Sequence, residues 1–203
     1  MPPSSPSSLE PGRLIVVSGP SGAGKSTIVR QVAERTGIRV SVSVTTRRPR
    51  PGELVGQAYH FVGEGEFDRL VDSGKLLEWA RYGRHRYGTP RGPVLDRIDR
   101  GEDVLLEIEV QGARQVRERH PGALLVFITP PDRHELERRL RDRGDTDDED
   151  VARRLRIALD EIDQAPELFD HLVVNDRLEE AVAEVIELIR PGSARIGSTG
   201  CDG

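Results

Sequence analysis

Short apolar runs alternate with longer amphipathic segments along this chain. The runs at 14–17, 104–108, 124–128 and 172–174 are each followed by a segment of helical spacing, beginning near residues 25, 111, 132 and 178. Short runs of three to five residues, apolar but for Glu107, suit strands buried on both faces, and the segments between them are long enough to serve as crossover helices. The pattern predicts an α/β fold in which a mostly parallel sheet is flanked by helices.

Two stretches break the alternation. Residues 41–93 turn polar, rich in Gly, Arg and Tyr, with shorter strand candidates at 59–62 and 76–82; they read as a subdomain inserted at about 43–93. Residues 139–154 pack arginines around Gly144 and an acidic run at 145–150, and read as a mobile, charged lid. The downstream half carries Val151, Leu155, Ala158, Leu159 and Ile162 at helical spacing, so that part is expected to pack against the core. The Pro/Ser-rich 1–12 and Gly/Ser-rich 191–203 are expected to be disordered tails, which leaves 13–190 as the folded domain.

Composition narrows the function classes. The 203 residues suffice for one well-buried domain with appendages. A formal net charge of -5 argues against a general nucleic-acid surface, so basic residues that matter must be clustered. Cys201 is the only cysteine, which excludes a disulfide framework or a cysteine-built metal site within one chain. No apolar run approaches the roughly 18 residues of a spanning helix, and the first residues lack the pattern of a signal peptide. A cytoplasmic protein that does not bind membranes is expected.

The candidate chemistry starts immediately after the first apolar run. Gly19, Pro20, Ser21, Gly22, Ala23, Gly24, Lys25, Ser26 and Thr27 form a G-x-x-x-x-G-K-[ST] sequence between a predicted strand and a predicted helix. Glycines let successive backbone N–H groups curl around phosphate oxygens, and the helix N-terminus adds positive potential. Lys25 is expected to reach the β- and γ-phosphates of ATP and the Ser26 hydroxyl to ligate Mg²⁺. A second anion site is expected in the Arg-rich loop 43–53, where Arg47 and Arg50 supply forked, permanently charged donors and Tyr59 a hydroxyl on a stiff arm.

The stretch SVSVTTRRPRPGELVGQAYHFV, starting at Ser41, resembles the signature of guanylate kinases, and GPSGAGKST is similar to that family's phosphate loop. The likeness continues through LLEWA at 76–80, RYGT at 86–89, EIEVQGA at 107–113, the Arg-rich flap and VVND at 173–176. It implies transfer of the γ-phosphoryl of ATP to GMP, with Mg²⁺, on a P-loop kinase core carrying an NMP-binding insertion and a lid. It also implies Glu78 as the carboxylate facing the guanine N–H groups, with Ser43 and Thr89 supplying hydroxyls to O6. The GMP phosphate would lie among Arg47, Arg50, Tyr59 and Tyr87. Lys25, Arg139, Arg143 and Arg154 would contact the transferring phosphates, and Glu107 would act near the Mg²⁺ waters.

Guanine independently favours such a set, because it presents adjacent donors at N1 and N2 beside an acceptor at O6, whereas adenine reverses that pattern. No general base is needed, since a phosphate monoester with a second pKa near 6 arrives largely deprotonated. Two features depart from the family's pattern. Glu109 stands where an Asp is common, one methylene longer, and 84–86 (Arg-His-Arg) replaces a more aromatic segment and reads as an exposed turn. Trp79 is expected in the core. The alternatives are a related kinase acting on another phosphorylated acceptor and a non-catalytic module that binds phosphorylated peptides; the intact Lys25 and Ser26 weigh against the second.

Overall fold

The structure is a computed structural model and describes residues 10–142, 148–190 and 192. Its centre is a five-stranded sheet of β1 (Leu14–Ser18), β2 (Arg39–Val40), β7 (Val104–Glu107), β8 (Leu124–Thr129) and β9 (His171–Val174). All neighbours run parallel, in the order β2-β7-β1-β8-β9. Alternate residues of β1 feed opposite faces, as a pleated strand demands. Ile15 and Val17 pack against α1 (Lys25–Thr36) and α7 (Leu178–Ile189). Leu14 and Val16 pack on the other face with α3 (Arg91–Ile98), α4 (Val110–Arg119) and the far end of α6 (Asp148–Leu168). Burial on both faces explains why these strands read as continuous apolar runs.

The polar stretch folds into a second sheet of β3 (Val44–Thr45), β4 (His60–Phe61), β5 (Leu76–Tyr82) and β6 (His85–Pro90), in the order β4-β3-β6-β5. Helix α2 (Glu64–Asp72) covers it, seating the fully buried Phe67 against Val44 and Leu76. Neither α2 nor α3 is among the elements read from the sequence. The signal for α2 was Phe67, Leu70 and Val71 at helical spacing, masked by the acidic and Gly-rich residues around them.

Two local readings are corrected. Arg86 is buried, not part of an exposed turn: its guanidinium pairs with Glu64 and Asp68 and lies over the Phe67 ring at 4.6 Å. It fastens α2 to the sheet through a cation–π contact and charged hydrogen bonds. Trp79 is 37% exposed, because the alternation that turns Glu78 inward turns its neighbour outward, edge-on to Phe67.

Helix α5 (Arg133–Arg141) starts at Asp132, whose carboxylate accepts from the Glu135 N–H at 2.8 Å. It pairs with α6 through Leu136, Leu140, Val151, Leu155 and Ala158, so the helical spacing expected downstream of 150 packs as anticipated. Arg143 and most of the two tails lie outside the described residues.

Candidate active site

Between the C-terminal ends of β1 and β7 and the inner face of the second sheet lies a cavity of about 230 Å³. Parallel α/β sheets place ligands at this end, where loops and helix N-termini converge. From the core come the phosphate loop residues Pro20 to Thr27, less Ala23, together with Glu107, Ile108 and Glu109; from the insertion come Ser43, Tyr59, Glu78, Ala80, Tyr82 and Tyr87. Residues 16 or more positions apart in sequence thus face one another.

The loop folds on its own backbone. Ala23 N–H donates to the Pro20 carbonyl at 3.2 Å, and Gly24 adopts a left-handed φ of 88° to start α1 at Lys25. A side chain on Gly24 would collide with Asn175 Nδ2, which donates to the Ala23 carbonyl at 2.7 Å. Asn175 is 6% exposed and comes from the end of β9, so it locks the loop from 152 residues away. The motif around Asn175 was legible, but this bond was not. Lys25 Nζ donates to the carbonyls of Gly19 and Pro20, the second at 3.1 Å. The Ser26 hydroxyl donates to Glu107 Oε1 at 2.5 Å, bringing together the two residues expected to serve Mg²⁺.

The insertion's wall of the cavity is built on the β5–β6 hairpin. Glu78 pairs directly with Thr89 across the strands, and Thr89 Oγ1 donates to Glu78 Oε1 at 2.6 Å. The Thr89 hydroxyl thus supports Glu78. Glu78 is 2% exposed, and burial pushes its carboxyl up to about 7. The Thr89 bond opposes that rise, the charge of Glu109 adds to it, and the charge of Arg119 opposes it.

Arg47 makes a forked pair with Glu53 at 2.8 and 2.9 Å and lies 5.4 Å from the Tyr59 ring centre. Tyr59 meets Tyr87 edge-on with ring centres 5.8 Å apart. Burial pushes the Tyr59 hydroxyl up to about 12, so it stays protonated as a donor. Arg50 is exposed on the same loop, where its backbone N–H donates to Glu53.

The structure separates the expected lid arginines. Arg139 bonds Glu135 and the Asn175 carbonyl, beside the phosphate loop. Arg154 pairs with Asp150 and lines an adjoining cavity of about 200 Å³ with Ser21, Glu109 and Glu161. Glu161, absent from the sequence-based site, is a half-buried carboxyl pushed up to about 7 by partial burial, then by Glu109, with Lys25 opposing. Its place on the inward stripe of α6 was the only signal available.

A phosphate loop after the central strand, parallel strands and a polar insertion facing that loop define a P-loop kinase fold. Comparison with known proteins gives the particular family. The guanylate kinase family model matches residues 11–191. The guanylate kinase of Thermosynechococcus vestitus (strain NIES-2133 / IAM M-273 / BP-1) is 52% identical over 85% of this chain and 91% of its own. That of Synechococcus sp. (strain JA-3-3Ab) is 48% identical over 93% and 87%. The crystal structure of guanylate kinase from Anaplasma phagocytophilum superimposes with a TM-score of 0.75 at 35% identity, covering 89% of this chain and 86% of that one. The chain belongs to the guanylate kinase family.

Proposed function

We propose that this enzyme moves the γ-phosphoryl group of ATP to GMP, giving ADP and GDP, and that the cavity between the sheets is where the two nucleotides meet. The observation that carries this is the buried Glu78 carboxylate opposite the phosphate loop. A carboxylate paired on one oxygen by Thr89 has its remaining acceptor capacity for two adjacent N–H donors, and guanine offers these at N1 and N2. Adenine would leave that buried acceptor unpaired, at a cost of about 1–3 kcal/mol.

In this assignment residues 43–93 form the GMP-binding insertion and 139–154 the lid. The Ser43 hydroxyl faces guanine O6, and Glu109 reaches toward the guanine amino group. Arg47, Arg50, Tyr59 and Tyr87 hold the GMP phosphate. Arg47 then exchanges Glu53 for a phosphate of higher charge density, its tyrosine neighbours keeping it in place. Lys25 leaves its loop carbonyls for the β- and γ-phosphates, while Arg139, Arg143 and Arg154 close from the lid. The chemistry is positioning and charge neutralisation: the dianionic acceptor needs no base, and closure excludes the water that would otherwise take the phosphoryl group.

Mg²⁺ fits the donor side, where a hydroxyl and a carboxylate stand together, the oxygen ligands a hard cation takes. Ser26 would hold it directly and Glu107 through water, and bound there it would supply charge neutralisation at the triphosphate. No helix among the described residues is long and apolar enough to cross a membrane. A cytoplasmic setting, with no nucleic-acid partner, suits a lone cysteine and a net acidic chain.

The experiment is a coupled assay of ATP-dependent phosphorylation with GMP, dGMP, AMP, UMP and a ribose phosphate as acceptors. GMP is expected to exceed AMP and UMP by ~10²-fold or more in kcat/KM. Comparable rates with AMP, or a preference for the ribose phosphate, would overturn the assignment.

A further inference from the structure

The guanine-facing carboxylate sits in the insertion, but the element that fixes it belongs to the core. Helix α4 packs along β5 and presents Gly112, Gln115 and Arg119, spaced i, i+3 and i+7 on one face, to the strand that carries Glu78. The Arg119 guanidinium donates to the Leu77 carbonyl at 2.9 Å. The Gln115 amide donates to the Trp79 carbonyl at 2.5 Å and accepts from the Trp79 N–H at 3.2 Å, closing a two-bond clasp of the kind one strand makes with another. The backbone is therefore held on both sides of Glu78. The ladder with β6 is irregular between Leu76 and Glu78, so β6 alone does not set the register there.

Position 112 completes the arrangement. A Cβ at Gly112 would overlap Glu78 Oε2 and stand 2.9 Å from its Cδ. The nearest atoms to the missing side chain all belong to the Glu78 carboxyl arm. The void left by glycine is thus the seat of this one carboxylate.

We propose that α4 is the positioning element for guanine selection, with Gly112 as the residue that seats the Glu78 carboxylate and the Gln115 clasp as what holds its strand. The inference rests on the assignment of Glu78 to guanine. The three atoms nearest a methyl at 112 all belong to the Glu78 side chain and none to backbone, so the main chain keeps its path while the carboxylate must leave its place. The Gly112→Ala protein therefore keeps its structure and its handling of ATP, and loses its hold on GMP.

The test is a double-mutant cycle read as KM for GMP, with KM for ATP and thermal melting alongside. Glu78→Ala is expected to raise KM for GMP ~30-fold and Gly112→Ala ~10-fold, both with KM for ATP within about twofold of the parent. Because Gly112 acts through the carboxylate, adding Gly112→Ala to Glu78→Ala should change KM for GMP by less than about twofold. Multiplying effects in the double variant, or a Gly112→Ala protein with unaltered KM for GMP beside an impaired Glu78→Ala, overturns the inference and leaves the Glu78 assignment standing. An unaltered Glu78→Ala removes the assignment and the inference together. Should Gly112→Ala fail to fold, the same cycle run with Gln115→Ala, expected at ~5-fold, decides the matter by the same outcomes.

Discussion

The two sides of the cavity are made in different ways. On the donor side, nine consecutive residues supply the loop, and their backbone geometry does most of the work; the cation Lys25 rests on neutral carbonyls of the same loop. On the insertion side, Ser43, Tyr59, Glu78 and Tyr87 come from separate segments, Glu78 being held by Thr89 and the two tyrosine rings by each other. There the cation Arg47 rests on a full negative charge, Glu53, in a setting where both side chains are largely covered. The difference teaches that triphosphate binding, which every such kinase shares, can be written locally, whereas acceptor choice needs long-range assembly. A buried carboxylate such as Glu78 is costly to hold ionised, and packing from several directions fixes it.

That contrast can be broken first on the donor side. Lys25→Ala removes the one ammonium poised over the loop and is expected to lower kcat ~10³-fold, with circular dichroism and melting close to the parent, because the loop's shape comes from its glycines and from Asn175. GMP-dependent ADP formation near the parent rate would remove Lys25 from the mechanism. A smaller effect is expected from Asn175→Ala, which leaves the Ala23 carbonyl without its partner. Melting should fall by an amount equivalent to about 1–2 kcal/mol, and KM for ATP should rise ~5-fold while KM for GMP stays unchanged. An equal loss for both nucleotides would show that Asn175 stabilises the whole fold, not the donor loop alone.

How much of this was legible follows from the same contrast. The strands at 14–18, 104–107 and 124–129 announced themselves because a parallel strand buried on both faces must be apolar throughout. The phosphate loop was legible because its function resides in consecutive residues. The resemblance to guanylate kinases supplied Glu78, Thr89 and Tyr87, which no periodicity marks as a site. The pairing of Arg86 with α2, the Asn175 bond to the phosphate loop and the seating of Glu78 against Gly112 were illegible for a common reason: each depends on a partner 18 to 152 residues away whose approach the linear pattern does not encode. Alternation in β5 did hold the information that Glu78 and Trp79 face opposite ways, and it decides the exposure of Trp79.

The central claim is that the ionised Glu78 carboxylate receives the acceptor base, and its pH dependence tests this most directly. Burial raises the folded carboxyl to about 7, so near pH 6 most of the free enzyme holds it neutral and near pH 8 most holds it charged. The sign for stability is the reverse of that for activity. A raised carboxyl pKa means the folded state binds the extra proton, so this group's contribution to stability declines between its unfolded value of about 4.5 and about 7, as binding competence grows. From pH 6 to 8, kcat/KM for GMP should rise ~10-fold through Glu78, beside a rise of ~2-fold from the acceptor's own phosphate. Glu78→Gln, which cannot ionise, should show a lower kcat/KM throughout and keep only the ~2-fold part. A parent profile as flat as that of Glu78→Gln, or a variant that retains the full rise, would contradict the account.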